Sequence, residues 1–148
     1  MITMQKSKVP RRKRQDVPPK RPLGAWAWGR ETISIFAFDN YRKIIKNYIK
    51  EMKMRDPEFS FNTFAKETGH RSRGHIVNII SGKKKASTAS ILAIARVMEL
   101  NEDEMRYFVN LANLENAENI EVRMFYDREV KRDLIHYAQK AKKRRKNV

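Results

Sequence analysis

The chain has 148 residues, with 33 lysines and arginines against 17 aspartates and glutamates, a formal net charge of +16 at pH 7. That length suits one compact domain with tails rather than two domains, and the charge points to a polyanionic partner, nucleic acid first and an anionic membrane surface second. Cysteine is absent, which excludes disulfides and thiolate metal sites, and no apolar run approaches the length of a membrane-spanning helix.

Residues 1–23 mix Pro10, Pro18, Pro19 and Pro22 with a basic cluster at Arg11, Arg12, Lys13 and Arg14. Such a composition cannot build a core, so a disordered basic arm is expected. Its "MITMQKSKVPRRKRQ" start has no apolar stretch behind the charges and does not read as a secretory signal. The expectation is a soluble cytoplasmic protein. In residues 24–37, "GAWAWGRETISIFA", apolar and small or polar residues alternate, which predicts an extended segment docking on the body. Trp26 and Trp28 serve there either as internal anchors or as contacts for a protein partner.

From Phe38 the period becomes helical. Tyr41, Ile44, Ile45, Tyr48, Ile49 and Met52 recur at steps of three and four, with Asp39 as the expected N-cap and Pro57 past the end. Ser60 then caps a short helix, in which Phe59 and Phe64 have the spacing of a hydrophobic staple, and Gly69 ends it. Ser72 opens a third helix, which buries Ile76, Ile79 and Ile80 and stops at Gly82. Ser87 or Thr88 opens a fourth, with Ile91, Leu92, Ile94, Ala95 and Met98 inside. Asn101 opens a fifth, whose first turn holds Glu102, Asp103 and Glu104 at the positive end of the helix dipole. A last helix over about 119–143 carries Phe125, Tyr126, Val130, Leu134, Tyr137, Ala138 and Ala141 and finishes in a basic run that includes Lys142, Lys143, Arg144 and Arg145. The fold class is all-α.

Two short helices joined by "TGHRS" make a helix-turn-helix unit, in which the N-terminal residues of the second helix meet base edges in the major groove. Arg71, Arg73, Gly74, His75, Val77 and Asn78 are the candidate base contacts. Arginine pairs in a bidentate way with guanine and asparagine with adenine, valine can touch a thymine methyl, and glycine permits close approach. Ser60, Asn62, Ser72, Lys83, Lys84 and Lys85 are the candidate phosphate contacts, which set register without reading sequence.

The stretch "FNTFAKETG…SRGHIVNIISGKKKASTASILAIARVMEL" resembles the Cro/C1-type, or lambda-repressor-like, helix-turn-helix domain of bacterial transcription regulators. The resemblance rests on Phe64, Ala65, Gly69, Ile76, Ile79, Gly82, Lys83 and Ser87, and on the run Ile91, Leu92, Ile94, Ala95 to Leu100. With "FDNYRKIIKNYI" and "NEDEMRYFVNLANLENA" the chain is also similar to a poorly characterised bacterial helix-turn-helix family, over residues 36–118. It implies a five-helix domain, over residues 38–118, that binds double-stranded DNA. Ile80 stands where the wider family commonly has a polar residue, which makes it a candidate protein contact.

A nucleotide loop would need a glycine five residues before the Gly-Lys pair, where Val77 stands instead. His70, His75 and His136 lack partners at metal-ligand spacing. Neither a catalytic constellation nor a cofactor is expected. Val130, Leu134, Tyr137 and Ala141 form a seam that either packs on the domain's own core or joins a homodimer. The leading expectation is a sequence-preferring, nucleoid-associated transcription regulator. Its alternatives are a non-specific architectural or RNA binder driven by the basic tails, and a protein-interaction module.

Overall fold

The computed structural model describes residues 34–146. The expected basic arm over 1–23, Trp26, Trp28 and the rest of the segment through Ile33 lie outside the described residues. Among the described residues the protein is all-helical and has no strand. Six α-helices follow a single 3-10 turn: α1 Tyr41–Arg55, α2 Phe61–Glu67, α3 Arg73–Ser81, α4 Thr88–Val97, α5 Glu102–Asn116 and α6 Ile120–Lys146.

The 3-10 turn, Ile35–Ala37, replaces the extended form that alternation suggested for this part of the docking segment. Ser34 accepts a hydrogen bond from the Phe36 amide and closes the turn, so local capping overrides the period of two. The described end of that segment does pack on the body. Ile35 is fully buried, Phe36 stacks on Tyr137 at 4.1 Å, and the Tyr107 hydroxyl donates to the Phe38 carbonyl at 2.7 Å.

Helix α1 buries Tyr41, Ile44, Ile45, Tyr48, Ile49 and Met52, the full stripe that its periodicity predicts. Its N-cap is Asn40 rather than Asp39: the Asn40 side chain accepts from the Arg42 amide. Phe59 and Phe64 meet edge to face at 6.4 Å and fix the entry into α2, while Ser60, Ser87 and Asn101 cap α2, α4 and α5 as expected. Glu104 returns the Asn101 bond in a capping box, which satisfies two orphan amides at once. Leu92, expected inside α4, is exposed instead. Ile91, Ile94, Ala95 and Met98 fill the inward stripe, and Leu92 lies one position off it.

Helices α5 and α6 form an antiparallel hairpin, with Lys140 bonded to Asp103 and Asp133 to Asn110. Val130 is buried and Leu134 packs on the same core, while Tyr137 is held by Phe36. The seam considered for a dimer therefore faces the chain's own core along these three residues, with Ala141 half-buried at its end. Helix α6 runs to Lys146, so Lys142, Lys143, Arg144 and Arg145 lie on a helix and are exposed. Phe125, about 140° round α6 from Val130 at 3.6 residues per turn, is left outside. No helix among the described residues is long and apolar enough to cross a membrane.

Candidate nucleic-acid interface

Helices α2 and α3 pack through Phe64 and Ala65 on one side and Ile76 and Ile79 on the other, all within one core. The connection is tight. Gly69 takes φ +78, a conformation that costs other residues about 1–2 kcal/mol, and the His70 amide reaches back to the Ala65 carbonyl at 2.8 Å. This geometry leaves Arg71, Ser72, Arg73 and Gly74 exposed at the start of α3, with Asn78 exposed one turn further. His75 and Val77 are half-buried. All six expected base-reading residues thus share one region, though not with equal access.

Ser72 opens α3 without a side-chain capping bond. Within that first turn the His75 amide donates to the Ser72 carbonyl at 3.2 Å, and amides at a helix N-terminus that have no such partner are the ones phosphates use. Ser60 is less free than expected, because its oxygen caps Thr63 at 3.3 Å, whereas Asn62 beside it is exposed. Phe61 lies between two cations: the Arg73 guanidinium is 5.6 Å from its ring centroid and the Lys53 ammonium 5.3 Å. Each such contact contributes about 0.5–1 kcal/mol at an exposed site, and together they hold positive charge at the α2 and α3 starts.

The other end of α3 is more firmly fixed. Gly82 adopts φ +89 and its amide donates to the Ile79 carbonyl. Arg42 of α1 donates through Nε to that same carbonyl at 2.8 Å and through Nη1 to Glu115 of α5 at 3.0 Å. The Lys84 amide and the Ser81 hydroxyl both donate to the Asn78 carbonyl, at 3.0 and 3.2 Å. Two of the last four carbonyls of the helix, those of Asn78 and Ile79, are therefore satisfied, with a cation at the negative end of its dipole. Lys83, Lys84 and Lys85 follow on the surface, and Lys85 is also paired with Glu118 at 3.3 Å.

Two features were absent from the sequence reading. Lys46, Lys50 and Lys53 share one exposed face of α1, and Lys53 joins that face to the α3 start through Phe61. Their steps of four and three are legible in the sequence beside the apolar stripe. Arg42 carried no such signal, since its partners are 37 and 73 residues away. Ile80, proposed as a partner contact, is half-buried and packs against the core, so most of its side chain is already occupied.

Histidine 70 sits at the centre of the turn. Its ring lies 2.6 Å from Thr68 Oγ1 through Nδ1 and 2.9 Å from Ser90 Oγ of α4 through Nε2, and it stacks on His75 at 4.9 Å. Burial, and then the neighbouring His75, hold its pKa below the ordinary histidine value. Comparison with protein-family models, curated proteins and solved structures finds no match for this chain.

Proposed function

We propose that the protein is a sequence-preferring double-stranded DNA-binding protein of the lambda-repressor-like helix-turn-helix kind, acting as a transcription regulator. In this reading α1 to α5 are the five-helix domain and α3 is the reading helix. The observation that carries it is the asymmetry of α3: its C-terminus is fastened to α1 and α5 by Arg42, while Arg71 and Arg73 at its N-terminus, and Asn78 further along, are exposed. Reading bases requires both a helix held at a fixed angle and side chains with donors in the right places. Phosphates would be held by Asn62, Ser72, Lys83 and Lys84, by Lys53, which the Phe61 contact brings to the same side as Arg73, and by Lys50 on the same exposed face of α1.

The competing reading is a non-specific architectural binder, favoured by the exposed basic end of α6. The two differ in what Arg73→Ala does. Under the proposal it costs about 1–3 kcal/mol on a preferred duplex and far less on an unrelated one, since a bidentate base contact carries discrimination. Lys53→Ala instead weakens both duplexes equally and lowers the salt dependence by about one counterion. Fluorescence titration of both duplexes at several salt concentrations separates the cases, and equal loss on both for Arg73→Ala overturns the reading of bases.

A further inference from the structure

We infer that His70 is a positioning residue for α3: as a neutral imidazole with its proton on Nδ1, it ties the turn before α3 to the N-terminus of α4 and seats His75. The assignment of the proton follows from the hydrogen bonds. Thr68 Oγ1 lies 2.9 Å from the Phe64 carbonyl and 3.1 Å from the Ala65 carbonyl, both of which can only accept. The single hydroxyl proton goes to them, so the oxygen must accept from His70 Nδ1–H at 2.6 Å. Nε2 is then the lone-pair nitrogen and accepts from the Ser90 hydroxyl at 2.9 Å.

Ser90 in turn accepts from the Ser87 hydroxyl at 3.2 Å, while the Ser87 oxygen caps the Ser90 amide at 3.1 Å. The donors thus run in one direction, from Ser87 to Ser90 to His70 to Thr68 and into the last carbonyls of α2. One sense of proton placement satisfies every member of the chain. A second proton on His70 reverses the link to α4: Nε2–H then donates to the Ser90 oxygen, which still accepts from Ser87, and the Ser90 hydroxyl proton loses its acceptor.

The surroundings oppose that second proton. The elements meeting at His70 bring Lys66 and Glu67 at the end of α2, Arg71, Arg73 and His75 at the start of α3, and on α4 only Arg96 as a charged residue. His75 is stacked on the ring itself at an interplanar angle of 27°. An imidazolium here is disfavoured first by burial and then by the charge of His75, which stands at the start of the helix proposed to read bases. The functional consequence rests on the proposal that α3 reads DNA, and it has a recognisable sign. Extra positive charge alone would tighten DNA binding on acidification, whereas a reversed link with an orphaned Ser90 proton loosens the turn and lowers discrimination between duplexes.

The test uses the full chain and two independent readouts. Nitrogen-15 spectra of the histidine rings report the tautomer, and amide hydrogen exchange reports the turn at residues 69–73 and the α4 start at 87–91. The account predicts a protonated Nδ1 and a bare Nε2 on His70 at pH 7.5. Below the pH at which that ring charges, exchange at both segments rises. Discrimination between a selected and a scrambled duplex falls roughly fivefold or more, the lower end of coupling between linked sites. Ser90→Ala moves the His70 titration upward, and His70→Gln flattens the pH profile of discrimination.

A proton on Nε2 in the neutral form, titration of His70 at or above the ordinary histidine value, or an unchanged profile in His70→Gln each overturns the inference. If no duplex is preferred at any pH, the DNA reading fails by itself. The ring tautomer and the exchange pattern then decide the positioning role alone.

Discussion

Two carboxylates in the α5–α6 hairpin behave in opposite ways. Asp103 is held below the ordinary carboxylate value, first by its hydrogen bond from Lys140 and then by the charges of Lys140, His136 and Arg106. Its contribution to stability is present above the unfolded value and lost as pH falls through the folded one. Asp133 is raised, because burial outweighs the hydrogen bond from Asn110 at 2.8 Å. Its folded pKa lies above the unfolded one, so stability is greatest below the unfolded value and declines as pH rises through the folded one. Asp133→Asn removes that cost while its amide oxygen still accepts from Asn110. The variant should be more stable than the parent by about 1 kcal/mol at pH 7, and the difference should vanish below about pH 4. Urea denaturation at both pH values checks this; a variant less stable at neutral pH would show that the carboxylate is needed as an ion. Arg42 is the other residue with a measurable role. Arg42→Met keeps much of the volume but leaves the Ile79 carbonyl with one donor fewer and Glu115 unpaired. It should lose about 1–3 kcal/mol of stability by the same method, together with duplex discrimination.

Element by element, sequence patterns reached unequal depths. The α1 stripe, the staple at Phe59 and Phe64 and the caps at Ser60, Ser87 and Asn101 were legible because each is set by residues within five positions. Gly69 and Gly82 were legible as stops, and both take positive φ. For Gly82 the backbone, and not space, is the constraint: an added Cβ would meet Arg42 Nε only at 4.0 Å, an ordinary contact. Gly82→Ala should therefore cost about 1–2 kcal/mol from the left-handed conformation alone. A crystal structure of the variant should show Arg42 unmoved, and a displaced Arg42 would mean that crowding contributes. What the sequence left dark was partly a choice between near-equal local signals: Asn40 rather than Asp39 caps α1 through the Arg42 amide, and Ser34 caps the 3-10 turn through the Phe36 amide. The exposure of Leu92 and Phe125 follows from where the inward stripes of α4 and α6 fall. In the candidate site, Arg71, Arg73 and Asn78 were found as exposed residues. The Arg42 clamp and the His70 chain were not, because each joins three or more elements through side chains whose types fit equally well on a bare surface.

At the scale of the molecule, charge and rigidity are distributed differently. The strongest fixation lies behind α3, in the core shared by α1, α4 and α5 and in the hairpin that adds Val130. Exposed lysines and arginines lie around it, on α1, after α3 and at the end of α6. The account assigns direction and discrimination to the few residues held by the core, and general affinity to the many that are not. Salt should therefore separate them. Shortening the chain to end at Gln139 should reduce affinity for any duplex and flatten its salt dependence, since fewer counterions are released, while leaving the preferred sequence unchanged. A shortened chain whose preferred sequence differs would assign part of the reading to α6.

The most direct test of the central claim is selection of bound duplexes from a random pool at near-physiological salt, carried out with the full chain and with Arg73→Ala. The account predicts a short preferred motif for the full chain and a motif degraded at one position or a few for the variant. Binding without any motif, unaltered by Arg73→Ala, would contradict it and leave the net charge of +16 as the whole basis of association.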